Sequence, residues 1–218
     1  MSVTQHFDST RATSSASASE AVAGIVAIVL TILGLAHVSP TFLAAVATIA
    51  VGVALISHGG MVATEYASLV MRPDEARPAV ADLGGSAAWS LELLAGAAGI
   101  VLGILALLQV ASMDLVAIAA IAYGGALVFS SGSSAQLDLA RLSMTGLGQP
   151  AQRLAASVLS ASVAMQAVAG LGAVVLGILA LAGFSSMIMV LIALLTLGAF
   201  IFMNGSTLAG AMLMTFNR

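Results

Sequence analysis

Long apolar runs separated by short polar knots dominate this chain. Runs fall near 20–37, 41–62, 90–109, 114–135, 163–183 and 186–207. Each holds about 20 mostly apolar residues, enough at 1.5 Å rise per residue to cross a hydrocarbon core roughly 30 Å thick. The knots alternate in kind. Ala36-His37-Val38-Ser39-Pro40, Gln109-Val110-Ala111-Ser112-Met113 and Ala182-Gly183-Phe184-Ser185 are short and hold no charge. The other two connections are longer and charged. Short connections force antiparallel neighbours, so the pattern predicts an all-α integral membrane protein with six transmembrane helices in three tandem repeated α-hairpins. The period-two alternation of a membrane β-barrel is absent.

The predicted organisation is a disordered N-terminus over 1–15 and hairpins over 16–72, 85–145 and 157–218, with linkers at 73–84 and 146–156. The hairpins echo one another. Glu20-Ala-Val-Ala-Gly24 returns as Glu92-Leu-Leu-Ala-Gly96 and as Gln166-Ala-Val-Ala-Gly170. Gly103-Ile-Leu-Ala-Leu107 returns as Gly177-Ile-Leu-Ala-Leu181. At an offset of about 73 residues, Gly52, Gly125 and Gly198 correspond, as do Gly59, Gly132 and Gly205. The alignment of the first apolar run with internal spans argues that it is a retained helix and not a cleaved signal peptide.

Composition agrees with the membrane reading and narrows the function. Hydrophobic residues make up 61% and charged residues 7%, against roughly 45–50% and about 25% in soluble domains. No lysine is present, net charge is −3 and only six arginines remain, which excludes a nucleic-acid partner. With no cysteine there is neither a disulfide framework nor a thiolate site. No P-loop, H-E-x-x-H or G-x-S-x-G motif is found, so the sequence reads as non-enzymatic. Arg11, Arg72, Arg77, Arg141, Arg153 and Arg218 all fall on the side of the termini and long linkers, while Asp114 is the one charge at the hairpin tips. The positive-inside rule then places both termini in the cytoplasm, and the expected location is a bacterial inner membrane. Trp89 fits an interfacial anchor at that edge.

Two sets of residues stand out. The first is small: Gly24, Gly96 and Gly170, with Gly99, Gly103 and Gly177, mark one face of the first helices, and the six glycines already named mark the second helices. Small faces let backbones approach closely in lipid, so the expectation is a compact bundle with the first helices innermost. The second set is polar: Glu20, Glu92 and Gln166 on first helices, Glu65 and Asp138 near the ends of second helices, and His58 matched with Ser131 and Asn204. Ionisable residues within spans are candidates for an ion site. The plainer reading is a solvated rim, because these positions lie near the cytoplasmic edge, where side chains reach water. A metal site is not expected, since His58 and Glu65 alone make two ligands.

Gly103-Ile-Leu-Ala-Leu-Leu108 and Gly177-Ile-Leu-Ala-Leu181, each closing the first helix of a hairpin, resemble the repeats of HdeD-type membrane proteins. That resemblance covers most of the membrane-embedded chain and implies six spans in short repeats, a bacterial source and a link to acid resistance. Contact faces are abundant and chemistry is scarce. The leading expectation is therefore a structural or accessory protein, forming a homo-oligomer or a subunit of a larger membrane complex in contact with lipid. The alternative is a proton or cation channel, or a small-solute transporter, using the interface between repeats. No cofactor can be named from the sequence.

Overall fold

The computed structural model describes residues 3–70, 85–110, 112–144 and 149–216, with side chains described over 19–60, 63, 90–110, 112–131, 157 and 160–206. All the regular structure among them is helical: α1 (Val3–Leu35), α2 (Pro40–Val70), α3 (Gly85–Leu107), α4 (Ser112–Met144), α5 (Gln149–Leu181) and α6 (Ser186–Phe216). Five of these contain segments long and apolar enough to cross a membrane: Pro40–Gly60, Ser90–Leu107, Ser112–Ser131, Ser160–Leu181 and Ser186–Ser206. The chain is thus a multi-pass membrane protein, and a helix satisfies its backbone groups internally where lipid offers no partner. The apolar part of α1, Ser19–Leu35, is shorter.

Helix ends follow local chemistry. At the end of α1 the Val38 N–H donates to Leu33 O at 3.2 Å and the His37 N–H to Gly34 O at 3.0 Å. Val110 and Gln109 repeat this on Leu105 and Ala106 after α3, and Phe184 and Gly183 on Leu179 and Ala180 after α5. Such a pair of bonds is the Schellman cap, which places its C′ residue in the left-handed region. His37 (φ 66°), Gln109 (φ 62°) and Gly183 (φ 86°) occupy it. Pro40 then opens α2, where its missing N–H costs nothing.

Helix boundaries differ from expectation in two places. Residues 3–15, expected to be disordered, belong to α1. They contain no proline or glycine, and a helix already nucleated by an apolar span extends at little cost. Similarly, α5 starts at Gln149 with Pro150 in its first turn, inside the linker expected over 146–156, because proline is tolerated there. The 73–84 linker lies outside the described residues.

The layering reverses the expectation that first helices are innermost. The spanning segments of α2, α4 and α6 are each 44% buried, those of α3 and α5 28%. Each inner helix buries a wide arc: Ala44, Ala47, Val51, Ala54 and Leu55 on α2; Val116, Ala119, Tyr123, Ala126 and Leu127 on α4; Val190, Ala193, Leu197, Phe200 and Ile201 on α6. α2, α4 and α6 touch one another, and the buried apolar residues of all six helices form one core cluster. The outer helices bury only a seam: Glu20, Gly24, Ala27, Thr31 and Gly34 on α1; Glu92, Gly96, Gly99, Gly103 and Ala106 on α3; Gln166, Gly170, Ala173, Gly177 and Ala180 on α5. Its spacing is four, three, four and three in every case, so it stays on one face. Their opposite faces expose Val22, Val29, Leu94, Val101, Val168 and Val175, suited to lipid. A small-residue seam marks one close neighbour, whereas a central helix needs contacts on several sides.

The seams find that neighbour on α6, α2 and α4 respectively. A Cβ built on Gly24 would lie 2.6 Å from Phe202 N and 3.0 Å from Gly198 O. One on Gly96 would lie 2.7 Å from Gly52 O, and one on Gly170 2.7 Å from Gly124 O. Three glycine-on-glycine contacts thus join α1 to α6, α3 to α2 and α5 to α4. Together with the three tight turns they close the six helices into a ring.

A buried carboxylate–histidine centre

Glu20, Glu92 and Gln166 each lie four residues ahead of the seam glycine, so helix geometry turns them to the same inward face. They are 1%, 1% and 6% exposed. The solvated rim expected from depth alone is therefore corrected: these side chains stand near the ends of the apolar segments, but neighbouring helices cover them. Each meets a polar residue of the helix its seam packs against. Asn204 Nδ2 on α6 donates to Glu20 Oε1 at 3.1 Å. His58 Nε2 on α2 lies 3.8 Å from Glu92 Oε2. Gln166 Nε2 donates to Ser130 Oγ on α4 at 2.8 Å.

Further contacts fuse the three pairs into one centre. His58 Nδ1 lies 3.2 Å from Glu20 Oε1 and 3.2 Å from Asn204 Nδ2. The Ser130 hydroxyl, 3.2 Å from Leu127 O of its own helix, also lies beside the Glu92 carboxylate. Every helix of the ring contributes one polar side chain. Two acceptors remain unmatched among the described residues: Glu20 Oε2 and Glu92 Oε1 are buried with no hydrogen-bond partner. A buried carboxylate oxygen left in that state costs free energy, of order 1–3 kcal/mol or more for a charged group. The arrangement is therefore suited to taking a positive charge. Among the described residues no group of three or more His, Cys, Asp or Glu side chains is placed to hold a metal ion.

The core on the tip side of this centre is apolar. Leu55, Leu127 and Ile201, then Val51, Tyr123 and Leu197, are all at most 2% exposed. Tyr123 fills a slot cut by Gly52 and Gly99, whose Cβ atoms would strike its hydroxyl. That hydroxyl donates to Thr48 O at 2.8 Å. Thr31 and Thr48, the polar side chains deeper in the core, return their hydroxyls to carbonyls of their own helices.

The remaining expected residues distribute as follows. Gly103 and Gly177 sit in the seams against Ala45 O and Ala117 O, Gly198 against Ala27 and Gly205 against Ala21 N; Gly59 is buried. Gly125 is corrected: a Cβ there meets nothing within 4 Å, and its neighbour Gly124 makes the contact. Ser131 also stays out of the centre, its hydroxyl bonding to Val128 O of its own helix. The side chains of Glu65 and Asp138, and the surroundings of Gly132, lie outside the described residues.

Ser130 and Gly124 are the residues that sequence reasoning missed, by one position each. The first-helix motifs Glu20, Glu92 and Gln166 step by 72 and then 74 residues. Carried to the second helices, the same steps give Gly52, Gly124, Gly198 and His58, Ser130, Asn204, the residues in contact. A uniform step of about 73 selects the wrong partner in the Gly124-Gly125 and Ser130-Ser131 doublets. Comparison of the chain with protein-family models, with curated proteins and with solved structures finds no match.

Proposed function

We propose that this chain is a non-enzymatic, six-span protein of the bacterial inner membrane, built as three tandem hairpins with both termini in the cytoplasm. It works as a proton- or cation-linked channel or transporter, with Glu20, His58 and Glu92 as its binding centre. One observation carries this reading: two fully covered carboxylates share one imidazole while each keeps an unpartnered oxygen. Charge held within a span is expensive and is retained where it handles an ion. The structural or accessory role suggested by the small-residue faces has less support, because those faces are occupied within the chain by Gly198, Gly52 and Gly124. Kinship with the HdeD-type proteins remains a proposal resting on the quoted motifs.

Purified protein in liposomes tests the reading. With an imposed pH or potassium gradient, the wild-type chain is expected to dissipate it, and E20Q/E92Q to lose that activity while keeping its helical content. Wild-type vesicles as tight to protons, sodium and potassium as empty ones would defeat it.

A further inference from the structure

His58 turns both ring nitrogens toward carboxylates, Nδ1 at 3.2 Å from Glu20 Oε1 and Nε2 at 3.8 Å from Glu92 Oε2. A neutral imidazole owns one N–H. Whichever nitrogen bears it, the other turns a bare lone pair to an anionic oxygen, in a region where surrounding side chains screen little. The Nδ1 side sharpens the conflict. Glu20 Oε1, His58 Nδ1 and Asn204 Nδ2 form a nearly equilateral triangle with sides of 3.1, 3.2 and 3.2 Å. If Nδ1 is bare, two acceptors stand 3.2 Å apart. If Nδ1 carries a proton, Glu20 Oε1 accepts from both His58 and Asn204, as its two lone pairs allow, and the bare nitrogen is then Nε2, turned toward Glu92 Oε2. One added proton gives each ring nitrogen an N–H to turn toward its carboxylate.

We infer that the ligand of the centre is a single proton, held by His58 as an imidazolium clamped between Glu20 and Glu92. Uptake converts two carboxylates and a neutral ring, net −2, into two carboxylates and an imidazolium, net −1. The proton binds the bare ring nitrogen and no other bond changes. Among the described residues, Glu20 from α1, Glu92 from α3 and the neutral amide of Asn204 from α6 face His58, with Ser130 of α4 beside Glu92. Entry is by way of His58 itself, whose side chain is 17% exposed where the two glutamates are 2%. Toward the tips, among the described residues, lie the apolar layer of Leu55, Leu127 and Ile201 and then Val51, Leu197 and Tyr123, whose hydroxyl is engaged by Thr48 O. This inference deepens the proposed function and rests on its choice of centre.

Histidine nitrogen chemical shifts test it without any flux measurement. The chain has three histidines, so H6N and H37N leave His58 as the one imidazole in the full-length protein, labelled with ¹⁵N and reconstituted in lipid. At pH 7 both ring nitrogens are expected to carry protons. Adding E20Q/E92Q is expected to return one protonated and one bare nitrogen. A neutral ring at pH 7 with both glutamates in place overturns the inference, even if the double variant does not fold. An imidazolium that persists in a folded E20Q/E92Q overturns it as well. An imidazolium in a chain that carries no flux upholds the inference while defeating the transport reading.

Discussion

Replacing Gly96 by alanine tests the ring closure where two backbones are closest. The new methyl would lie 2.7 Å from Gly52 O, 2.8 Å from Ile56 Cγ1 and 3.1 Å from Ile56 N. The Ile56 side chain can rotate; the two α2 backbone atoms cannot. Ordinary contact begins near 3.4 Å, so α3 must withdraw from α2 by about 0.7 Å, and a gap of that order forfeits a quarter to a half of each atom pair's attraction along the seam. Overpacking of this kind costs about 1–3 kcal/mol, and the better helix propensity of alanine returns at most about 1 kcal/mol. The net loss is about 1–2 kcal/mol, a fall in Tm of roughly 2–8 °C for a chain of this length. Gly125→Ala is the matched control, since its Cβ meets nothing within 4 Å and it keeps only the propensity gain. Thermal unfolding of both variants in the same detergent, followed by circular dichroism, reads the difference. Equal shifts for G96A and G125A would refute the assignment of the seam.

Other perturbations separate neighbouring residues. S130A strips Gln166 Nε2 of its acceptor and should cost about 1–3 kcal/mol, while S131A removes only a bond to its own helix and should stay within about 0.5 kcal/mol; the two melting curves decide which serine belongs to the centre. His37→Gly and Gln109→Gly relieve left-handed residues and should each raise stability by about 1 kcal/mol, whereas Gly183→Ala should lower it by a similar amount; denaturation midpoints check all three.

What the sequence carries and what it hides divide along physical lines. The apolar runs are visible because lipid demands about 20 apolar residues in succession, and the short tips fix antiparallel pairs. The residues of the polar centre are visible too, since Glu20 and Glu92 interrupt otherwise apolar stretches. Their burial is not. Hydropathy reports how deep a residue lies along its own helix and says nothing of the helices beside it, so a glutamate near the edge looks wet until α6 and α2 are set against it. Layering is hidden for a related reason: a run such as Gly96, Gly99 and Gly103 announces a close contact, yet alanines and leucines on α2 and α4 form the more enclosed surface. The one-residue slips at Gly124 and Ser130 come from doublets, where adjacent identical residues leave the pairing to geometry.

The pairing of α1 with α6 sets a schedule for biogenesis. Asn204 and Glu20 are 184 residues apart in sequence, so during translation the first helix enters the bilayer long before its partner has been made. Contacts between α2 and α3 and between α4 and α5 join near neighbours in the chain and can form as each helix emerges. The closing contact, spanning nearly the whole polypeptide, carries the largest loop-closure cost and forms last. Until then Glu20 lacks its amide donor, and its place at the aqueous end of the span lets water serve in that role. The ribosome must finish α6 before the centre can exist at all, so a nascent chain truncated ahead of Asn204 lacks the amide that closes the centre on Glu20.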